Sequence, residues 1–183
     1  MTSRLLVDKI EGKTTANTVQ MPSGSIIQVV TNVPSSVSLI TQSGVTSPTM
    51  SEVSTTYRTT ITPKFSTSKL ILELNFLFGG NNTSYISQFK FFDVTNNSNI
   101  QSITGEGSRT FNHASARHKD HDGNDRDNIH MKTVIDAGNT NARTYSLYAG
   151  KEGGATHYFN ATTTDNSGCS FAPFCFTIME VAQ

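Results

Sequence analysis

Residues 69–78, KLILELNFLF, decide how the rest of the chain is read. Leu70, Leu72, Leu74, Phe76 and Phe78 fall at every second position, with Lys69, Ile71, Glu73, Asn75 and Leu77 between them. A period of two places the first set on one face of a pleated strand. The second set mixes charge with Ile and Leu, so its face is expected to be at most partly buried. No residue in the stretch brings chemistry with it. It reads as the central strand of a soluble β domain.

Composition points the same way. Hydrophobic residues make up 35% and charged residues 15%, both low for a globular chain, and Thr, Ser and Asn take their place. Ala, Leu, Glu, Lys and Arg, which build long helices, are scarce. Thr, Ile, Val, Phe and Tyr suit pleated surfaces. The expected class is all-β. At 183 residues the chain fits one ordinary domain with an appendage.

Fourteen basic residues balance fourteen acidic ones, so net charge is zero. Phosphate binding needs a basic surplus, which argues against a nucleic-acid partner. No run of about 18 apolar residues occurs, so no membrane helix is expected. The start, MTSRLLVDKIEGK, lacks the apolar core of a signal peptide. The expectation is a protein kept, or assembled, in a cytoplasm. Cys169 and Cys175 lie six residues apart along an apolar strand, too far to bridge easily. Both are expected as reduced thiols that behave as small hydrophobes.

Outward from the central strand the chain divides into three. Residues 1–30 hold two short β-prone runs, Leu5–Ile10 and Ser25–Val30, separated by a polar, turn-rich segment. Two such runs cannot form a core alone. They must pair either with the main domain or with another chain. The sharper alternative is an assembly arm that adds strands to a neighbouring subunit through Leu5, Leu6, Val7, Ile10, Ile26, Ile27, Val29 and Val30. Residues 31–52, rich in Ser, Thr and Pro, read as a linker. Residues 53–183 read as the β domain. Its strands are expected over 54–62, 69–78, 85–94, 100–104, 129–136, 143–148, 157–162 and 170–182, with AGNTN at 137–141 as a hairpin turn. About eight strands with close turns and uneven loops fit a β-sandwich, and a jelly roll best among the sandwiches and barrels.

The one stretch dense in chemical groups runs from Ser108 to His130, SRTFNHASARHKDHDGNDRDNIH. His118, His121, Asp120, Asp122 and Asp125 are its candidate ligands for zinc or calcium. The fragment DHDGND lacks the closing Glu and flanking helices of an EF-hand. A hydrophilic surface loop explains the same composition, because Asp, Asn, Gly and His suit turns. No metal and no cofactor is therefore expected. No GxSxG, HExxH or phosphate loop occurs. Glu73 and Glu106 are a conceivable carboxylate pair, but Glu73 sits mid-strand on the solvent side. The Phe residues 89, 91, 92, 171, 174 and 176 read as core rather than as stacking platforms. An enzyme is not expected.

Three blocks carry a family resemblance. LLVDKIEGKTTANTVQMPSGSIIQVV resembles the opening of many virion proteins of tailed phages, especially those of marine and freshwater bacteria: an L-x-V-D-x-I leader, a variable hairpin, a V-x-x-P-x-G step and a β run. TTITPKFSTSKLILEL is similar to an I-T-P…S-K-L segment of the same proteins, and FTIMEVA to their closing strand. The resemblance implies a trimeric, jelly-roll-like domain on the outside of a phage particle. The implied role is capsid decoration (cement), with the protein bound to itself and to the major capsid protein. A head fibre or short tail fibre that binds a host receptor is the alternative.

Overall fold

The computed structural model describes residues 21–34, 40–42, 50–80, 86–100, 113–117, 127–151, 157–160 and 174–183. The described residues form a β-sandwich, two antiparallel sheets of six strands each with one short 3-10 turn at Thr55–Tyr57. The all-β expectation is met.

The first sheet is built on β5 (Lys69–Gly80), the strand read from KLILELNFLF. Its lower half pairs with β12 (Cys175–Val181), which in turn pairs with β1 (Ile26–Asn32). Its upper end pairs with β11 (His157–Phe159), which carries β2 (Ile40–Gln42). Along its opposite edge runs β9 (Asp127–Asp136). The second sheet is built on β10 (Arg143–Lys151) and β6 (Ile86–Asp93). Outside β10 lie β3 (Ser51–Glu52) and β4 (Thr59–Ile61), and outside β6 lie β7 (Ser98–Asn99) and β8 (Ala114–Arg117).

The alternation in β5 sorts as its pattern demands. Leu70, Leu72, Leu74 and Phe78 are fully buried and Phe76 nearly so. Each such side chain contributes about 1.5–3 kcal/mol by leaving water, enough to fix which face points inward. Phe89, Phe91, Tyr145, Leu147 and Ala149 from the second sheet complete the core. Aromatic rings fill its centre: Phe78 and Phe89 meet edge to face at 4.7 Å, and Phe91 packs against Phe176 at 5.5 Å. Tyr57 stacks on Phe174 at 3.8 Å, and its hydroxyl accepts a hydrogen bond from the Asn160 amide. Burial pushes the Tyr57 phenol well above its ordinary pKa.

Several sequence expectations change. The run 54–62 is not one strand. Ser54 caps the 3-10 turn by accepting from the Thr56 N–H, Tyr57 turns into the core, and only Thr59–Ile61 is extended. The AGNTN stretch is not a hairpin turn. It carries the chain from β9 in one sheet to β10 in the other, with Gly138 at φ +66° and the Ala137 N–H held by the Ser68 carbonyl at 2.9 Å. The 108–130 loop contains β8, and β9 begins within it at Asp127. The 31–52 linker contributes β2 and β3, and β1 extends past residue 30. Of the expected strands 100–104 and 157–162, residues 101–104 and 161–162 lie outside the described residues.

The second run of the arm belongs to its own body. Gln28 pairs with Glu180, Val30 with Ile178 and Asn32 with Phe176. The free edge of β1 is tied down as well. The Gln28 amide donates to the Thr62 carbonyl at 3.2 Å, and the Asn32 amide to the Thr56 and Arg58 carbonyls at 2.9 and 3.1 Å. The corner where β4 leads into β5 is fastened from inside. Glu180 is fully buried, and its carboxylate accepts from the Lys64 N–H at 2.8 Å and the Phe65 N–H at 3.0 Å. Charge-assisted bonds to two backbone donors compensate for burying that carboxylate.

Candidate functional site

The residues of β5 that point away from the core define the site. Register places Ile71 opposite Met179 on one side and Val134 on the other, and Met179 opposite Val29. Val29, Met179, Ile71 and Val134 thus form one apolar row across four strands, on the outside of the first sheet. Val29 is 56% exposed and Val134 45%. At the β1 end the row is widened by Ile26, 55% exposed, which lies opposite Val181. Such a row facing water, bordered by polar groups, is a candidate docking surface.

Ion pairs border the row on both sides. On one side the Lys69 ammonium bonds the Asp136 carboxylate at 2.5 Å. On the other, Glu73 receives His130 at 3.1 Å and Lys132 at 3.8 Å, and Thr31 and Thr177 share a hydrogen bond at 3.1 Å. Partly exposed pairs like these add little stability. Charges in such positions can set the direction of a contact with another surface.

The outer face of the second sheet is different. Ser146 is fully buried there, Lys90 is 8% exposed and Gln88 9%. Phe92 stacks on Tyr148 at 4.1 Å, and the Lys90 ammonium lies 5.5 Å over the Phe92 ring while donating to the Asn99 side-chain oxygen at 2.7 Å. Burial lowers the Lys90 pKa. Arg58 grips Glu52 with two bonds of 2.8 and 2.7 Å, which lowers the Glu52 pKa. On this face the long side chains pack on one another, while Gln88 Oε1 and Ser146 Oγ are buried without a hydrogen-bond partner among the described residues.

The residues proposed from sequence are placed as follows. Among the arm residues, Ile26 and Val29 stand exposed on the apolar row, while Ile27 and Val30 are half-buried and Val30 packs against the core. Leu5, Leu6, Val7 and Ile10 lie outside the described residues, as do His118, His121, Asp120, Asp122 and Asp125. Among the described residues no group of three or more His, Cys, Asp or Glu is arranged to hold a metal ion. The two described His of the 108–130 stretch go to different sheets. His130 is exposed on β9. His113, just before β8, packs on Phe91 and its Nδ1 accepts from the Phe91 N–H at 3.3 Å. Burial, with Lys90 nearby, lowers its pKa to about 4.

Glu73 faces its two cationic neighbours rather than a second carboxylate, and Glu106 lies outside the described residues. Phe89, Phe91, Phe174 and Phe176 are core, Phe92 is on the outer face of the second sheet, and Phe171 is outside the described residues. Cys175 is a free, half-buried thiol, and Cys169 lies outside the described residues. Sequence reading did not bring Met179 and Val134 together with Ile71 and Val29. Both alternate with core residues in β-prone runs, and only cross-strand register shows that they line up with Ile71 and Val29.

No helix among the described residues is long and apolar enough to cross a membrane. No known protein family matches the chain, and no curated protein matches it as a relative.

Proposed function

We propose that the chain is a structural protein of a tailed-phage virion, a capsid decoration protein that acts by attachment and carries out no reaction. The observation that carries this reading is the apolar row Val29–Met179–Ile71–Val134 on the outside of the first sheet, exposed at Val29 and Val134. A pleated surface bordered by ion pairs suits docking on another protein. The leader, the I-T-P segment and the closing strand, which resemble virion proteins, add to it.

The strand order supports a jelly roll. Setting aside the short strands β2, β3, β7 and β11, one sheet runs β1-β12-β5-β9 and the other β4-β10-β6-β8. Numbered by these eight strands, that is 1-8-3-6 facing 2-7-4-5, the order of two interlocked Greek keys. On this reading the protein assembles as a homotrimer and bridges subunits of the major capsid protein. Many weak contacts repeated over a shell then add up to resistance against internal pressure.

Gold-labelled antibody against the protein, applied to intact particles, tests the location. Label over the head is the expected result, and label confined to the tail would favour the fibre reading. Particles stripped of the protein are expected to release DNA at lower temperature. Unchanged heat stability would overturn the decoration role.

A further inference from the structure

We propose that the outer face of the first sheet docks on the same face of a second copy of the chain, about a two-fold axis lying along the apolar row. The inference rests on the reading of that face as a docking surface and names its partner.

The charges on either side of the row are arranged for this. Along β5 the outward residues are Lys69, Ile71 and Glu73, which read positive, apolar, negative. Along β9 their register partners are Asp136, Val134 and Lys132, which read negative, apolar, positive. Both strands invert their charge across the same row. A two-fold axis along that row leaves each column in place and exchanges its two ends. Lys69 of one copy then faces Glu73 of the second, and Asp136 faces Lys132. All four charge contacts of the pair are attractive, and the apolar rows lie on one another. A face built for an unrelated partner has no reason to be its own complement in both columns; an isologous interface requires it.

The geometry permits the contact. Each charged row stands about 7 Å from the axis, two residues along the strand. Two sheets packed face to face lie about 10 Å apart and cross at about −30°. That crossing displaces a facing charge sideways by about 3–4 Å, within the reach of a lysine stem. At the β1 end, Ile26 and Val181 face Thr31 and Thr177, a neutral contact that costs no charge desolvation. Within each copy Lys69 already pairs with Asp136, and Glu73 with Lys132. Docking therefore places each ion pair against its reverse, forming two four-charge clusters at the borders of a dry row. These fix the register and reject a copy slid by one row, which would set charged side chains against Ile71 and Val134 of the second copy.

Charge reversal tests the geometry with the full chain. In variant one, Lys69→Glu with Asp136→Lys reverses one border. In variant two, Glu73→Lys with Lys132→Glu reverses the other. Each keeps its pairs within the chain, yet each meets its own copy with four like-charge contacts. Sedimentation equilibrium at protein concentrations on the order of 100 μM should show even-numbered species for the parent, two copies, or six if a three-fold contact also forms. Each variant alone should lose that association by about tenfold or more, and an equimolar mixture of the two should regain it.

A parent that sediments as a monomer or a plain trimer, or a mixture no better associated than its components, overturns the two-fold contact. A separate measurement keeps the underlying reading distinct. If the parent does not self-pair but Val29→Asp with Val134→Asp loses its place on phage particles, the face docks on a different protein and only the two-fold inference falls.

Discussion

The two outer faces of this sandwich have similar strand counts and similar β-prone sequences, yet they end differently. On the second sheet, Phe92, Tyr148 and Lys90 close on one another, and Arg58 and Glu52 neutralise each other at its border. On the first, Val29 and Val134 stay more than two-fifths exposed, although every cross-strand neighbour in their row is also apolar. Long aromatic and amphipathic side chains can fold over a sheet and cover one another. Val and Ile touch their cross-strand neighbours but are too small to shield them from water, so the ends of a Val–Met–Ile–Val row stay exposed. Side-chain length, more than hydrophobicity, separates the covered face from the open one.

Substitutions can break that comparison. The largest loss is expected at the anchor both faces share. Glu180→Ala leaves the Lys64 and Phe65 N–H groups without their carboxylate and opens a cavity beneath the β4–β5 corner. It should cost about 2–4 kcal/mol in urea unfolding. A loss under 1 kcal/mol would mean that water replaces the carboxylate there. On the closed face, Tyr148→Ala removes the ring that covers Phe92 and should cost about 1–3 kcal/mol without changing self-association. A change in association instead would show that the closed face also docks.

Acid sharpens the picture at the edge of the second sheet. In the folded state His113 is held neutral, with its pKa lowered to about 4 from 6.5. The unfolded chain takes up that proton near its ordinary pKa, so in this window the unfolded state binds more protons. The stability from this group is present above about pH 6.5 and is lost as pH falls from there toward 4. Protonation of Nδ1 would also remove the acceptor for the Phe91 N–H. His113→Gln should flatten this part of the stability–pH curve, read as urea midpoints at half-unit pH steps. An unchanged slope would assign the acid sensitivity elsewhere.

The smallest effect is expected on the open face. Val29→Thr with Val134→Thr keeps β-branched side chains on exposed strand positions and should shift unfolding by no more than about 0.5 kcal/mol. The same pair should weaken self-association. A large loss of stability with association intact would mean that the row serves its own fold.

Much of the fold was legible in the residues because burial leaves a period in the chain. The alternation in 69–78 marks β5 and assigns its inner face, and Met131, Thr133 and Ile135 do so more faintly for β9. Strands 85–94 and 143–148 were also legible, from aromatic and β-branched runs. Strands β2, β3, β7 and β8 were not. They are two to four residues long and polar, and they exist because a neighbouring strand offers them hydrogen bonds. The same limit hid the partner of Ser25–Val30. A β-prone run announces that it must pair, and the pairing energy is nearly the same with any free edge.

Composition and alternation by themselves determined that this is an all-β chain, that Leu70, Leu72, Leu74, Phe76 and Phe78 face a core, and that Lys69, Glu73 and Asn75 on the other side stay partly exposed, although Leu77 on that side is buried too. Those properties depend only on each residue and its neighbours along the chain. Only the tertiary structure decided that residues 137–141 cross between sheets, that Glu180 is buried on the turn it holds, and that Val29, Met179, Ile71 and Val134 stand in one row between opposed charges. These depend on register between strands up to about 150 positions apart in sequence, and no local pattern encodes register across such a distance.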